Sequence, residues 1–425
     1  TGASGVSGSV TELSDALVED NSIYIGNDPS GTTDNALYNV AIGTTALGAL
    51  TTGDKNTAIG FGTLTSNTTG TENTGVGYQA LNSNSDGQLN TAIGHRALRK
   101  NTTGGSNTAV GDYALASNTT AQDNTAIGRE ALLSNSTGNK NTAVGRAALA
   151  ANTTGYYNTA TGYGALYNNT TGFFNTAVGH SALDSNTSGY HNLAAGYRAL
   201  QNNITGSLNT AIGFESLKAN TTGNYNVAVG EASLHSNQSG SYNTALGMDT
   251  LKDLYGGTYN TAIGRSALEN NYSGSENTSV GAYSLNNLYD GEYNTAAGMK
   301  ALQYVSSGGY NAAVGFEAGY GITTGSYNTA IGYQSGPVYD DGNVNNTTAI
   351  GNGAIVTVSN KIRLGNTSVT VIEGQVAFSN ASDRRLKKDI MNTRYGLNTI
   401  LELRPVDYQM KSNNLEQIGF IAQEL

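Results

Sequence analysis

The pentapeptide Asn56-Thr57-Ala58-Ile59-Gly60 returns along the chain every 17 residues. Asn39-Val40-Ala41-Ile42-Gly43 precedes it, Asn73-Thr74-Gly75-Val76-Gly77 follows, and Asn328-Thr329-Ala330-Ile331-Gly332 is the last clean copy. From Gly43 to Gly332 there are 18 copies with no insertion or deletion. Loops tolerate insertions. A strict period marks a solenoid or array, in which each unit sits in register on the last.

Each column of the repeat has a physical role. An Asn stands four before the Gly in all 18 copies, and Ile or Val stands one before it in most, with Thr161, Ala195, Leu246 and Ala297 as exceptions. Leu stands four after the Gly in 16 successive copies, from Leu47 to Leu302, and is then replaced by Gly319 and Gly336. A second Gly comes ten after the first, Ala121 excepted, behind an Asn-Thr-Thr or Asn-Thr-Ser run such as Asn67-Thr68-Thr69. The unit therefore reads as a short strand, a Gly corner, a second segment ending in Leu, and a turn. Seventeen residues are too few for a pair of helices, and each interior Gly costs a helix about 1 kcal/mol. The expected fold is all-β, a parallel β-solenoid with one coil per repeat over residues 21–336. At the strand spacing of about 4.8 Å, 18 coils make a rod of roughly 85 Å. The repeated Asn (Asn56, Asn141, Asn226) is expected to form an amide ladder. The Ile/Val column and the Leu column (Leu149, Leu166) are expected to form two internal apolar stripes.

Those stripes are thin. Ordering backbone costs about 1–2 kcal/mol per residue, and burying a large aliphatic returns about 1.5–3 kcal/mol. The Ala-rich strand face suggests that other chains approach there, so a homotrimer is expected. The Asn-Thr-Ala-Ile-Gly-x-x-Ala-Leu pattern resembles the head repeats of trimeric autotransporter adhesins, which implies a trimeric β-roll; those repeats are shorter than 17.

Outside the array the sequence changes character. Residues 1–20 are Gly/Ser-rich and read as a linker or shaft end, and Asn21–Gly26 is a degenerate copy that caps the array. The chain begins at Thr1 and reads as a piece of a longer protein. At Gly336-Pro337 the proline is expected to stop ladder pairing. From Ile355 to Phe378 apolar residues alternate (Val356, Val358, Ile362, Leu364, Val369, Val371), which predicts half-buried strands and a small β-neck over 337–381. Ser382–Ile390 is charge-dense, Tyr395–Leu403 has helical spacing, Arg404–Tyr408 returns to strand, and Gln417–Leu425 opens another element.

Ser382-Asp383-x-Arg385-x-Lys387-x-x-Ile390, Gly396-Leu397, Leu403-Arg404-Pro405-Val406 and Ile418-Gly419-Phe420-Ile421-Ala422-Gln423-Glu424 resemble the C-terminal intramolecular chaperone of phage tail spikes and fibres, the self-releasing endosialidase type. The resemblance covers 382–425, the first part of such an α+β domain. It implies a module that assists trimer assembly and then cuts itself off at Ala381–Ser382, with Ser382 as nucleophile and Lys387 as base. A lysine whose pKa is lowered by burial can take a serine proton. A Ser and a Lys five apart otherwise mark only a solvated helix start. Such an event is a single turnover, and no turnover enzyme is expected.

Charged residues make up 12% and the net charge is −10, with no basic patch for nucleic acid and no apolar run long enough to span a membrane. His95, His180, His191 and His235 do not converge, so neither a metal nor a cofactor is expected. Tyr225, Tyr242, Tyr259, Tyr293, Tyr310 and Tyr327 share the column five before the Gly. They predict a surface ladder stabilised by mutual stacking, or a platform for a glycan or protein receptor. The Asn-Thr-Thr runs match a glycosylation sequon but are explained by turn chemistry. Together these features favour a trimeric tail fibre or spike of a phage or phage-like contractile particle, extracellular and on the particle surface. A bacterial surface adhesin is the alternative, and a polysaccharide depolymerase is disfavoured because its acidic residues are scattered.

Overall fold

A computed structural model describes residues 16–19, 21–26, 33, 35–338, 343–373, 406–409 and 416–419. Described residues up to Ser368 belong to one unit, a parallel β-solenoid, and those from Val369 onward to a second. No helix occurs among them. In the first unit β1 (Ala16–Glu19) pairs antiparallel with β2 (Ser22–Ile25), which starts the parallel ladder. One three-residue strand per coil follows, from β3 (Val40–Ile42) to β20 (Thr329–Ile331), each in register with the next. Ala41 faces Ala58, and Ala143 faces Ala160. In the second unit, β25 (Val406–Gln409) and β26 (Glu416–Gly419) pair antiparallel.

Every side of a coil bonds the next. The Thr57 N–H donates to Asn73 O at 2.8 Å on the strand, Leu64 N–H to Ala80 O at 3.0 Å after the corner, and Thr68 N–H to Ser85 O at 3.0 Å in the turn. The corner glycine is required twice over. Gly60 has φ +128, and a Cβ added there would stand 2.6 Å from the carbonyl oxygen of Gly77.

The interior differs from the expectation. The strand's middle residue, Ala58 or Ala143, points inward and is fully buried, while its Ile/Val neighbour points outward. Ile127 is 42% exposed and Ile212 39%. Alternation along a strand forces this choice: with the Ala inside, both flanking residues must lie outside. So the Ile/Val column is no internal stripe, and the Ala face is not open to other chains. The core is narrower still, built from two small columns (Ala143 and Ala148, for example) and one Leu column containing Leu149 and Leu166. Leu149 has φ +52 and Leu166 φ +53. β-branched residues are outliers in that left-handed region, which explains Leu there, and Gly319 at the same column has φ +66.

Two asparagine ladders complete the interior. In the first, which contains Asn56, Asn141 and Asn226, the backbone N–H of Asn73 donates to Asn56 Oδ1 at 3.1 Å, and Asn56 Nδ2 donates to Gly70 O at 2.9 Å. Its ends are closed by hydroxyls. Asn39 N–H donates to Ser22 Oγ at 2.9 Å, and Thr347 Oγ1 donates to Asn328 Oδ1 at 2.7 Å. The second ladder runs from Asn67 to Asn237 through the turn asparagines, with Asn84 Nδ2 donating to Asn67 Oδ1 at 2.8 Å. These amides are buried and also bond their own turn, as Asn67 Nδ2 does to Gly70 O at 2.9 Å. Leu254 ends this run and leaves Asn237 Oδ1 without a partner.

Pro337 does not stop the ladder. β21 (Gly336–Pro337) steps aside to pair with β23 (Ile355–Val356), while β22 (Thr348–Ile350) and β24 (Ile362–Leu364) continue the main sheet. Beyond it β23 is half-buried, with Val356 inside and Ile355 outside, whereas Val358, Ile362, Leu364, Val369 and Val371 are exposed.

Candidate functional site

The outward strand face carries an apolar stripe, interrupted at Thr161, Ala195 and Ala297. Fifteen of the 18 corner glycines are preceded by Ile, Val or Leu, stacked one per coil on the outside of the sheet. Apolar surface along so many coils makes this column a candidate interaction face.

Aromatic side chains form ladders on other columns. Tyr225, Tyr242 and Tyr259 stack with centroids 4.8 Å apart, and Tyr293, Tyr310 and Tyr327 at 4.8 and 5.0 Å. Glu276 stands between the two runs. Earlier in the same column Tyr157, Phe174 and His191 stack at 4.9 and 5.0 Å, beside a second stack of Tyr156, Phe173 and Tyr190 at 5.1 Å. That double patch was legible as Tyr-Tyr, Phe-Phe and Tyr-His pairs 17 apart, but sequence reasoning did not assemble it. Two further ladders, Tyr163–His180–Tyr197–Phe214 and Tyr255–Tyr272–Tyr289, lie on the columns after the corner glycine and in the turn. Within a run each ring covers its neighbour's face and leaves mainly edges and hydroxyls to solvent.

The histidines are engaged separately. His95 Nδ1 lies 2.8 Å from Asp112 Oδ1, and His235 Nε2 lies 3.4 Å from Glu215 Oε2. Glu215 also accepts from Lys218 Nζ at 2.8 Å, which holds its carboxyl below the usual range. Asp184 is shifted the other way, since burial pushes its carboxyl up. No group of three or more His, Asp or Glu is arranged to hold a metal among the described residues. An open cleft of about 280 Å³ lies beside Pro337, lined by Glu317, Tyr320, Gln334, Val338 and Ile355.

The C-terminal motif blocks begin at Ser382, and the β25–β26 hairpin falls within their span. Residues 382–425 match the chaperone of endosialidase family. No curated protein matches the chain. Ala381, Ser382 and Lys387, at and just inside the start of the chaperone segment, lie outside the described residues. An endosialidase-type chaperone following a β-solenoid fits a phage tail spike or fibre. None of the described helices is long and apolar enough to cross a membrane, since none is present.

Proposed function

We propose that the chain is the shaft and recognition portion of a homotrimeric tail fibre or spike from a phage or phage-like particle, matured by its C-terminal chaperone. The outward Ile/Val stripe carries the assembly reading. Burying the exposed part of each aliphatic returns about 1 kcal/mol. Over fifteen coils this reaches about 15 kcal/mol per chain, comparable to the roughly 4–15 kcal/mol that association costs. Three parallel rods joined along this face leave the aromatic columns to meet a cell-surface glycan or protein receptor.

Maturation follows from Ser382 and Lys387. Ser382 Oγ attacks the Ala381 carbonyl while neutral Lys387 accepts the hydroxyl proton. The peptide C–N bond breaks, the nitrogen takes a proton, and Ala381 is left esterified to Oγ. Water then hydrolyses the ester, giving an Ala381 carboxylate and Ser382 as a new N-terminus.

The domain limits proposed are a linker over 1–20, repeats over 21–336, a neck over 337–381 and the chaperone from 382. Native mass spectrometry tests assembly: three chains are expected, and a well-folded monomer at micromolar concentration would overturn it. Ile127→Asp with Ile212→Asp, both on the outer face, should lower the mass to one chain without unfolding the coils.

A further inference from the structure

The leucine column ends before the coils do. Gly319 and Gly336 take the two places after Leu302, and β21 and β23 pair beside the main ladder there. Five after the corner glycine, where Lys252, Gln303 and Tyr320 carry long side chains, stands Pro337. Its short ring covers less of the neighbouring surface. The open cleft of about 280 Å³ lies at this point, with Pro337, Val338 and Ile355 on its apolar side and Glu317, Tyr320 and Gln334 on its polar side. That volume is at the lower end for small-molecule sites, so it suits one compact ring rather than a helix.

The polar side chains are already held in place. Gln334 Nε2 donates to Glu317 Oε2 at 2.8 Å, and Lys300 Nζ donates to Glu317 Oε1 at 3.4 Å. Tyr320 Oη donates to Tyr304 Oη at 3.1 Å, and the two rings meet edge-on with centroids 4.7 Å apart. Groups fixed in advance lose little freedom when a ligand binds. Hydrogen-bonding capacity remains, because each carboxylate oxygen has two lone pairs and a glutamine amide has a second N–H and a carbonyl oxygen. Neighbouring hydroxyls of one ligand can therefore donate to Glu317 and accept from Gln334.

We propose that this cleft binds one uncharged pyranose unit of a glycan, its hydroxyls on Glu317 and Gln334 and its C–H face on Pro337 and Ile355. A pyranose divides in the same way as the cleft, with apolar C–H groups on its faces and hydroxyls round its rim. A wholly apolar ligand would strip water from Glu317 without replacing its hydrogen bonds. An anionic ligand would face the Glu317 carboxylate, and a cationic one would compete with Lys300 for it. This deepens the recognition role proposed above and rests on it only for the presence of the glycan on a target surface. The cleft lies on different columns from the stacked tyrosines, so the two sites can be tested apart.

Isothermal titration of the assembled chain with the methyl glycosides of glucose, galactose, mannose and N-acetylglucosamine tests the cleft. At least one is expected to bind at one site per chain, with a dissociation constant on the order of 1 mM. The corresponding uronate should bind at least about fivefold more weakly. Gln334 and Val338 are both exposed, so their variants should keep the parent's thermal melt. Gln334→Ala should weaken binding by about tenfold, and Val338→Trp, which fills the cleft, should abolish it. A panel in which no sugar binds, a uronate that binds as tightly, or unchanged binding in either variant overturns the proposal. A chain that attaches to target cells but takes up none of these sugars keeps the recognition role and sinks the cleft. A chain that binds a sugar in the cleft without attaching does the reverse.

Discussion

The second asparagine ladder makes a position-dependent prediction, because its middle and its end differ in what a leucine would break. Asn152 Nδ2 donates to Asn135 Oδ1 at 2.7 Å and to Gly155 O at 2.9 Å, and Asn152 Oδ1 accepts from Asn169 Nδ2 at 2.7 Å. Leucine suits the column, since Leu254 and Leu288 occupy it fully buried. Asn152→Leu nonetheless removes three bonds, each worth about 0.5–1.5 kcal/mol net, and strands Asn135 Oδ1 at about 1–3 kcal/mol. Burial of the leucine returns about 1.5–3 kcal/mol. Asn237→Leu removes only the bonds to Asn220 Oδ1 and Gly240 O. The orphaned acceptor there moves from Asn237 to Asn220, and no new one is created. Asn152→Leu should therefore be less stable than Asn237→Leu by about 2–4 kcal/mol. Guanidinium midpoints, together with amide exchange in the coils around residues 135–169, measure this. Equal shifts in the two variants would show that the ladder is decorative.

Leu149→Asn should cost several kcal/mol from lost burial and an unpaired amide, whereas exposed Lys140→Asn should cost under about 1 kcal/mol; equal melts would place Leu149 outside the core. Asp184 has a raised folded pKa, so its contribution to stability is present below the ordinary aspartate range and lost as pH rises through the folded value. Asp184→Asn should flatten that part of a pH–stability curve and raise stability at neutral pH, and an unchanged curve would refute the burial. Glu215 is lowered, so its contribution persists above the ordinary glutamate range and fades as acid takes the pH through the depressed value; Glu215→Gln should remove that acid-side slope. With the complete C-terminal domain present, Ser382→Ala and Lys387→Ala should each leave an assembled, uncut fibre on a gel, and N-terminal sequencing of the wild-type fragment should begin at Ser382. Cleavage persisting in both variants would rule out the Ser–Lys pair.

Much of this protein follows from its sequence alone. A period of 17 without slippage permits only stacked coils, because an inserted residue would shift every later column. The corner glycine was also legible, since a site needing positive φ and close backbone approach admits little else. The roles proposed for Ser382 and Lys387 come from motif blocks alone, and both residues lie outside the described ones. What the sequence did not decide is which way a three-residue strand faces. Thr-Ala-Ile is too short to display alternation, and hydrophobicity alone puts Ile inside. Stacking settles it: the coil interior beside two amide ladders and a leucine column has room for alanine, so Ile and Val are turned outward. The hydroxyl caps at Ser22 and Thr347 likewise exist only once coils are superposed. Each depends on what lies one strand spacing away, and that neighbour is 17 or more residues distant in the chain.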